Sequence, residues 1–530
     1  MTKHSLLAKK SSQISLAILT LGLLSGCAVP VDLTSEFQGE SAKPQKLAQD
    51  LSSDAKSQSP KSAFTHSELA LDTTASVVSQ NAGQSQHFEW GQKVPKDWWT
   101  LFGSKPLNEL IQQSLSNNSN LNSARASLAQ AQSNFQATYG SLALPNVNAQ
   151  YSPMRERMSQ TSSNIPGGVV TDLYNTSVNV SYTIDLFGAN KSSIASQAAL
   201  AQYQVFQFRA AELALTGNVM TAAIRQSALK DQVKETQDIL SLQSKQLEIM
   251  EKQLNLGAIG LASVLAQRSL LAQTRASLPP LEKALDQLSN QLAALVGTTP
   301  NQFDWNALSL SELNLPKNLP LSLPSDLIKH RPDILASEAL LNQNIALLGL
   351  AKANLYPQIN LSANVGSLSP TTSNYFSTPF SFWTVGAGLT APIFNGAALD
   401  SKVKAAKAGY EAAFYQYKNT VLNAFGNVAD SLKAIELDAQ TLKLQSEAEQ
   451  IAKKNLEIAQ EQYKLGGINF MALLDAQKNY AQARINLVNA QSNRFADTVA
   501  LFQSMGGDEW SPNATVPMGQ KEAIQSVIKP

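Results

Sequence analysis

The chain contains an internal repeat, in which two long stretches carry the same landmarks in the same order. The segment from Gln253 to Gly257 recurs 209 positions later as the segment from Gln462 to Gly466. A fixed period means that one structural unit is built twice. Further pairs at displacements of 207 to 212 positions are Ala272-Gln273 with Ala481-Gln482, Arg275 with Arg484, Gly297 with Gly506, Leu144-Pro145 with Tyr356-Pro357, and Leu186-Phe187 with Ile393-Phe394. The sequence therefore predicts two copies, at 96–297 and 325–507, joined by a Pro-rich connector at 298–324.

Each copy contains long helices with an apolar residue at every seventh position. A strict heptad repeat predicts a left-handed coiled coil. The span from about Asn190 to Leu256 suits a single helix about 100 Å long, which is wider than a globular domain. The second copy has two neighbouring apolar lines, one of Leu437, Leu444, Ile451, Ile458 and Leu465 and one of Ile435, Leu442, Leu456 and Tyr463. Two lines on one helix indicate partners on two sides, as in a closed ring of helices.

Four segments alternate between apolar and polar residues and are expected to be strands, near 146–152, 176–185, 358–366 and 381–393. In the second segment, for example, Val178, Val180 and Tyr182 alternate with polar side chains. This pattern suits transmembrane strands around a wet lumen, with loops at 153–175 and 367–379. A barrel needs about eight strands, and lipid does not tolerate unpaired strand edges. The strands are therefore expected to be shared among subunits.

The N-terminus reads as a secretory signal over residues 1–26, with Lys3, Lys9 and Lys10 before an apolar run. The run ends in Leu-Ser-Gly before Cys27, which resembles the lipobox of bacterial lipoproteins and implies cleavage before Cys27 and lipidation of its thiol. An ordinary signal with an incidental cysteine is the alternative. Residues 27–95 are predicted to be the lipidated cysteine and a flexible Ser/Gln-rich tether, and 508–530 a C-terminal tail.

Composition argues against several classes of function. The chain has 41 basic and 40 acidic residues, whereas a nucleic-acid binder needs a basic surplus. One cysteine gives no disulfide framework, and three of the four histidines (His4, His66 and His87) lie in the signal or the tether. The fourth, His330, precedes Arg331-Pro332-Asp333, which suits the first turn of a helix. We therefore expect no enzyme, no metal site and no cofactor.

Several motifs together resemble the bacterial outer membrane factor family, the TolC-like export channels. The similarity is greatest to the lipidated NodT-type branch of outer membrane efflux lipoproteins and spans roughly residues 96–507. The motifs are Asp97-Trp98-Trp99-Thr100-Leu101-Phe102, Tyr182-Thr183-Ile184-Asp185-Leu186-Phe187-Gly188, Arg331-Pro332-Asp333-Ile334 with Glu338, Leu355-Tyr356-Pro357, Tyr463-Lys464-Leu465-Gly466-Gly467-Ile468-Asn469-Phe470 and Leu473-Leu474-Asp475-Ala476-Gln477.

The resemblance implies a mainly α fold with a β-barrel: a trimeric outer membrane channel in which four strands per chain contribute to a twelve-stranded transmembrane barrel, above a long periplasmic coiled-coil tunnel. It implies an outer membrane protein that extends into the periplasm and acts as a passive duct for small molecules. The implied partners are two further copies, outer membrane lipid, a periplasmic adaptor (membrane fusion) protein and an inner-membrane RND pump, and no cofactor is implied.

The resemblance also assigns roles to residues at the periplasmic end of the tunnel. Leu256, Gly257, Leu465 and Gly466 are expected to form the tips that contact the adaptor. Asp475 is expected to form a channel gate, because its family position lies just inside the closed end. A solvated surface carboxylate is the alternative for Asp475, whose side chain could face either the lumen or solvent.

Two other functions account for part of these features. A duct for type I protein secretion is the alternative within transport, although secretion ducts of this family usually lack a lipobox. A lipid-anchored coiled-coil scaffold would explain the heptads and the tether, but it would not explain four amphipathic strands.

Overall fold

The computed structural model describes residues 72–73, 81–92, 94–159, 161, 166–305, 308–321, 324–374 and 378–507. The predicted signal peptide, Cys27 and the C-terminal tail lie outside these residues. Helices make up most of the described chain. They are α1 (Lys105–Asn117), α2 (Ser119–Ala143), α3 (Ala189–Asn255), α4 (Leu261–Val296), α5 (Pro324–His330), α6 (Pro332–Ala353), α7 (Ala398–Lys464) and α8 (Phe470–Ser504).

The strands form two separate sheets. A small sheet has the order β1-β2-β5, and a larger antiparallel sheet has the order β3-β4-β6-β7. Each copy of the repeat contributes one hairpin to the larger sheet. The strands are β1 (Asp72–Thr73), β2 (Gln86–Trp90), β3 (Asn146–Met158), β4 (Val169–Ile184), β5 (Asn318–Leu321), β6 (Gln358–Ser369) and β7 (Ser381–Thr390).

The predicted repeat is confirmed by the helix boundaries. The long helices α3 and α7 each have 67 residues, and both their first and last residues are displaced by 209 positions. The start of α8 is displaced by the same amount from the start of α4. Gly257 and Gly466, which follow α3 and α7, both have a left-handed backbone, with φ of 73° and 75°. The chain therefore builds one unit of strand hairpin and helix hairpin twice.

The register of the larger sheet brings the apolar residues of all four strands onto one face. Directly paired residues point to the same side of a sheet. One such row is Ala149, Val178, Val365 and Trp383. The adjacent row on the opposite face is Asn148, Asn179, Asn364 and Thr384. The sheet is thus apolar on one side and lined by amides and hydroxyls on the other, as the alternation predicts.

The first hairpin is longer than the sequence pattern indicates, and the prediction of a loop over 153–175 is wrong. Pairing continues from Asn146 with Ser181 as far as Met158 with Val169. Arg155 and Asp172 interrupt the apolar alternation, yet they face each other across the two strands with Nε and Oδ1 3.5 Å apart. An ion pair therefore replaces apolar contact where the hairpin extends beyond the apolar band.

The predicted flexible tether is too long at its C-terminal end. Residues 86–90 form β2, which pairs in parallel with β5 from the connector between the two copies. Phe88 and Val94 are buried, and the ring of Trp98 stacks on Phe502 at 5.2 Å between centroids. These apolar side chains provide the burial that stabilises the segment, so the ordered chain begins before the predicted start near Asp97. Here β2 and β5 form a band at the middle of the long helices.

The two 67-residue helices are linked through the shorter helices α6 and α8, and α3 has more neighbours than α7. Helix α3 contacts α4 and α8, as well as α2 and α6. Helix α7 contacts α8 and α6. Helix α6 is long and apolar enough to span a membrane, with a mean hydropathy of 1.3, but it packs along both α3 and α7 as a core helix does. On α8, Ala476, Ala483 and Ala490 recur every seven residues and are buried, so that the neighbouring helices can approach closely.

Candidate functional site

The two helical hairpins end in matching tight turns. After α3 and α7, the glycines Gly257 and Gly466 adopt the left-handed conformation that L side chains disfavour. Their N–H groups donate to the carbonyls of Leu254 and Tyr463 at 2.9 and 3.1 Å, which closes each helix end. Leu256 and Leu465, just before the glycines, are 83% and 86% exposed. The predicted tip residues therefore present two apolar side chains at the end of the chain's long axis.

A groove lies between the two coiled coils just above the tips. It has a volume of about 290 Å³ and separates α3 from α7 and α8. Burial raises the pKa of Tyr463, and its ring packs edge-on against Phe470 at 5.8 Å. The groove is lined mainly by apolar and amide side chains, which include Leu242, Ile249, Leu456, Leu473 and Gln477, together with Lys245, Lys464, Tyr463 and Tyr480. The two coiled coils are therefore separated from each other near the tips, and the space between them presents an apolar surface.

Asp475 lies on α8 five residues after its first residue, on an exposed part of the helix surface. Its chain neighbours Leu474 and Ala476 are buried against the other helices. Among the described residues, Asp475 forms no ion pair. The carboxylate is thus accessible in one chain, and its role as a gate stays a prediction.

A cluster of three charged side chains ties the two coiled coils together higher up. The guanidinium of Arg484 on α8 donates from Nε to Glu235 of α3 at 2.8 Å and from Nη2 to the other oxygen of the same carboxylate. Its Nη1 lies 3.5 Å from an oxygen of Glu449 on α7. The side chains of Arg484, Glu235 and Glu449 are 29%, 17% and 11% exposed.

The electrostatics of this cluster favour the charged arginine. Burial opposes the charge on Arg484, but the hydrogen bond and the charge of Glu235, with the further charge of Glu449, raise its pKa. Sequence reasoning identified Arg484 only as the repeat partner of Arg275 and missed both glutamates. The sequence did contain one indication of this cluster, since Arg275 and Arg484 occupy the same position in the two copies of a helix with a heptad repeat.

A second charged cluster lies near the middle of the helices, where α7 and α8 meet the segment before β2. Arg494 of α8 is fully buried, and its Nη2 donates to the carbonyl of Gln84 at 2.8 Å. Burial, a hydrogen bond with Asp497 and the charge of Asp497 raise the pKa of Asp438 to about 7, although the nearby Arg494 opposes this shift. Burial lowers the pKa of Arg494 to about 10. This cluster fastens the N-terminal band to α8.

Two of the sequence motifs have structural roles here. Arg331 forms two hydrogen bonds to Asp333 at 3.0 and 2.7 Å and donates to the carbonyl of Ser504, and Pro332 is the first residue of α6. Asp185 accepts a hydrogen bond from the N–H of Lys191 in the first turn of α3 at 2.7 Å. Among the described residues, no group of His, Cys, Asp and Glu side chains is arranged to hold a metal.

Several large apolar side chains are exposed on the single chain, along one line of α7 and at the edges of the larger sheet. Of the predicted heptad line, Leu437, Leu444, Ile451 and Ile458 are 46% to 71% exposed, and the fifth member is the tip residue Leu465. The parallel line of Ile435 and Leu442 is buried against α8, so one of the two predicted seams is occupied within the chain. Ile393 and Phe394, after β7, are 92% and 91% exposed. Contiguous apolar side chains that are exposed in this way mark an interaction site.

Known proteins resemble this chain over most of its length. The family model for outer membrane efflux proteins matches residues 110–298 and 323–507, one match for each copy of the repeat. The pyoverdine export outer membrane protein OpmQ of Pseudomonas putida is 28% identical over 443 residues, covering 82% of this chain and 93% of OpmQ. The probable efflux pump outer membrane protein TtgC of the same organism is 28% identical over 420 residues, covering 77% and 84%. The solved structure of the outer membrane protein VceC from Vibrio cholerae has a TM-score of 0.74 at 24% identity, covering 79% of this chain and 100% of VceC.

Proposed function

The chain belongs to the outer membrane efflux protein family and is an outer membrane channel, and we propose that three copies form the passive duct of a tripartite pump for small molecules. The observation that carries this proposal is the four-stranded sheet with one apolar face, one polar face and two open edges. Open edges are not stable in lipid, and three such sheets joined edge to edge give twelve strands.

The repeat supports this closure, because a junction within one chain predicts the junction between chains. Within the chain, β4 pairs with β6, and beneath this pair the ring of Phe187 stacks on Tyr356 at 4.8 Å. The repeat equivalents of these two residues are Phe394 and Leu144, and both are exposed in the single chain. We expect β7 to pair with β3 of the partner subunit and Phe394 to pack near Leu144 of the partner subunit.

The polar face of the sheet suits a wet lumen without chemistry of its own. In the four strands of this sheet, the charged residues are Arg155, Glu156, Arg157 and Asp172, and all four lie at one end of the first hairpin. Of these four, only Glu156 lies on the polar face, and towards the helical end of the strands that face carries amides, hydroxyls and glycines. Such a wall favours water and offers no strong binding site, which fits a conduit rather than a carrier.

The helical end supports a docking role for the tips. Leu256 and Leu465 project beyond the turns, and the apolar groove between the coiled coils opens directly above them. An adaptor that ends in helices could insert apolar side chains there, as helices do in apolar grooves. We propose a periplasmic adaptor and an inner-membrane RND pump as the partners on this side.

We also propose a lipid anchor at Cys27, which lies outside the described residues. The lipobox motif supports it, and Ala28 in the following position favours the outer membrane. Palmitate labelling of the wild type and of Cys27→Ser tests this proposal. Label that is lost in the variant supports the anchor, and equal label in both proteins refutes it.

The duct itself is tested by its size and its conductance. The purified protein in detergent should have a mass near three mature chains and should form pores in a planar bilayer. A monodisperse monomer would overturn the architecture. Deletion of the gene should raise the accumulation of small dyes or drugs, and a defect limited to one secreted protein would favour the type I secretion alternative instead.

A further inference from the structure

The helical ring of the proposed trimer contains two kinds of junction between coiled coils. Within one chain, α3 of the first coiled coil contacts α8 of the second. Because α4 is the repeat equivalent of α8 and α7 that of α3, the same contact should recur between α7 and α4 of the partner subunit. The exposed apolar line of α7 at Leu437, Leu444, Ile451 and Ile458 is the surface left open for that helix.

The junction within the chain is held by the charged cluster described above. Arg484 of α8 reaches Glu235 of α3 across the seam and also approaches Glu449. A direct hydrogen bond crosses the same seam nearby, from Nε2 of Gln232 to Oδ1 of Asn489 at 2.8 Å. These contacts fix which levels of α3 and α8 lie opposite each other.

Because the two copies are equivalent, we expect the same helix register at the junction between chains. The repeat equivalent of Arg484 is Arg275 on α4, and the repeat equivalent of Glu235 is Leu444 on α7; both pairs are 209 positions apart. The carboxylate is therefore missing at the equivalent position, but Glu447 lies three residues further along α7, on the same face one turn away. Arg275 and Glu447 are both exposed, and among the described residues neither forms an ion pair. Opposite charges without partners thus lie at matching levels on the two surfaces that should meet.

We propose that Arg275 forms an ion pair with Glu447 of the partner subunit. This inference rests on the proposed trimer, and it assigns a second copy of the chain as the occupant of the open face of α7. The apolar line supplies the burial, and the ion pair fixes the register of the two helices, as charged pairs flanking coiled-coil seams do.

The two kinds of ion pair then form a belt at one level of the tunnel. Arg275 and Arg484 each lie 18 positions after the tip glycine of their own copy, which is about 27 Å along a helix. Three clusters within chains alternate with three pairs between chains, so that all six coiled coils are tied to their neighbours. The belt holds the tunnel wall together above the tips.

A charge-reversal cycle tests the pair between chains in the intact protein. Arg275→Glu and Glu447→Arg should each lower the temperature at which the detergent-purified trimer dissociates, and the double variant should recover most of the loss. The differences should shrink at high salt, because exposed pairs are screened. The matched control is Lys283→Glu with Glu447→Arg: Lys283 is exposed on the same helix eight positions further along, and its reversal should give no recovery.

Chemical cross-linking gives an independent reading of the same contact. Arg275→Cys with Glu447→Cys should yield covalently linked trimers with a short bismaleimide, whereas Lys283→Cys with Glu447→Cys should not. A stable trimer in which the double reversal recovers nothing and the cysteines do not react would overturn the ion pair and leave the proposed duct intact. A chain that forms no trimer before any substitution would overturn the proposed function itself.

Discussion

Gly188 and Ala397 occupy equivalent positions directly before the two 67-residue helices, and both have a left-handed backbone, with φ of 79° and 62°. Ala397 is the one non-glycine residue with positive φ in the described part of the chain. In the first copy, a glycine adopts this conformation at the turn from strand to helix without steric strain. In the second copy, the Cβ of Ala397 makes the same conformation sterically unfavourable.

Ala397→Gly should therefore stabilise the protein, and Gly188→Ala should destabilise it. A left-handed L residue costs about 1–2 kcal/mol, and the greater freedom of glycine in the unfolded chain offsets part of this, so the expected gain is about 0.5–1 kcal/mol. A Cβ at Gly188 would meet no atom within 4 Å, so any loss there comes from the backbone alone. Thermal dissociation of the trimer measures both changes, and shifts of the same sign would contradict the argument.

Arg484→Gln should weaken the seam between the two coiled coils of one chain. The substitution leaves Glu235 and Glu449 close together and mostly buried without their cation, and removing one member of a buried ion cluster is more costly than losing an exposed pair. We expect a loss of about 2 kcal/mol and a larger resting conductance. Arg268→Gln, which removes an exposed pair with Glu251, is the matched control and should cost less than about 1 kcal/mol.

The repeat, the helix lengths and the four strands could be predicted from the sequence, because each depends on a period that many residues repeat. The charged cluster of Arg484, Glu235 and Glu449 could not be predicted, because Arg484 and Glu235 are separated by 249 positions and no local sequence pattern connects them. Residues 81–95 were misassigned to the tether because β2 has five residues, too few to show a period, within a segment of tether-like composition. The outer part of the first hairpin was misassigned because its pairing uses charged and polar side chains.

The cluster around Asp438 predicts a pH-dependent stability. Between the ordinary aspartate pKa of 3.8 and about 7, folded Asp438 keeps a proton that the unfolded chain has released. The folded state therefore loses stability as the pH rises through this window, and above about 7 it must hold a buried charge near Asp497. Asp438→Asn should raise the dissociation temperature of the trimer at pH 8 and change it little at pH 5. An equal shift at both values would show that protonation of Asp438 is not involved.

The tips are tested without disturbing their turns. Leu465→Asp places a charge on a side chain that is 86% exposed, so folding and trimer formation should be unaffected while an apolar adaptor contact is lost. Resistance to exported compounds should fall to the level of a deletion strain. Leu465→Met keeps an apolar side chain and should retain resistance. If the aspartate variant exports as well as the wild type, Leu465 is not part of the docking surface.

Asp475 is the predicted gate, and threefold symmetry would bring three of its carboxylates around one axis. Carboxylates held in a ring repel one another and attract cations, so the closed end would favour cations and would bind multivalent ones. The exposed position of Asp475 on α8, beside the buried Leu474 and Ala476, leaves its side chain accessible for such a ring. The repeat equivalent is Ala266, so each subunit would contribute a single charge at this level.

Asp475→Asn should weaken both the cation selectivity and the block by trivalent cations in single-channel recordings, and the trimer should remain intact. Asp475→Glu keeps the charge and should preserve both properties, which separates an electrostatic role from a steric one. Neutralising Glu457, an exposed residue paired with Lys454 on α7, serves as a control for general surface charge and should leave selectivity unchanged. Identical selectivity and block in Asp475→Asn and the wild type would mean that Asp475 is an ordinary solvated carboxylate.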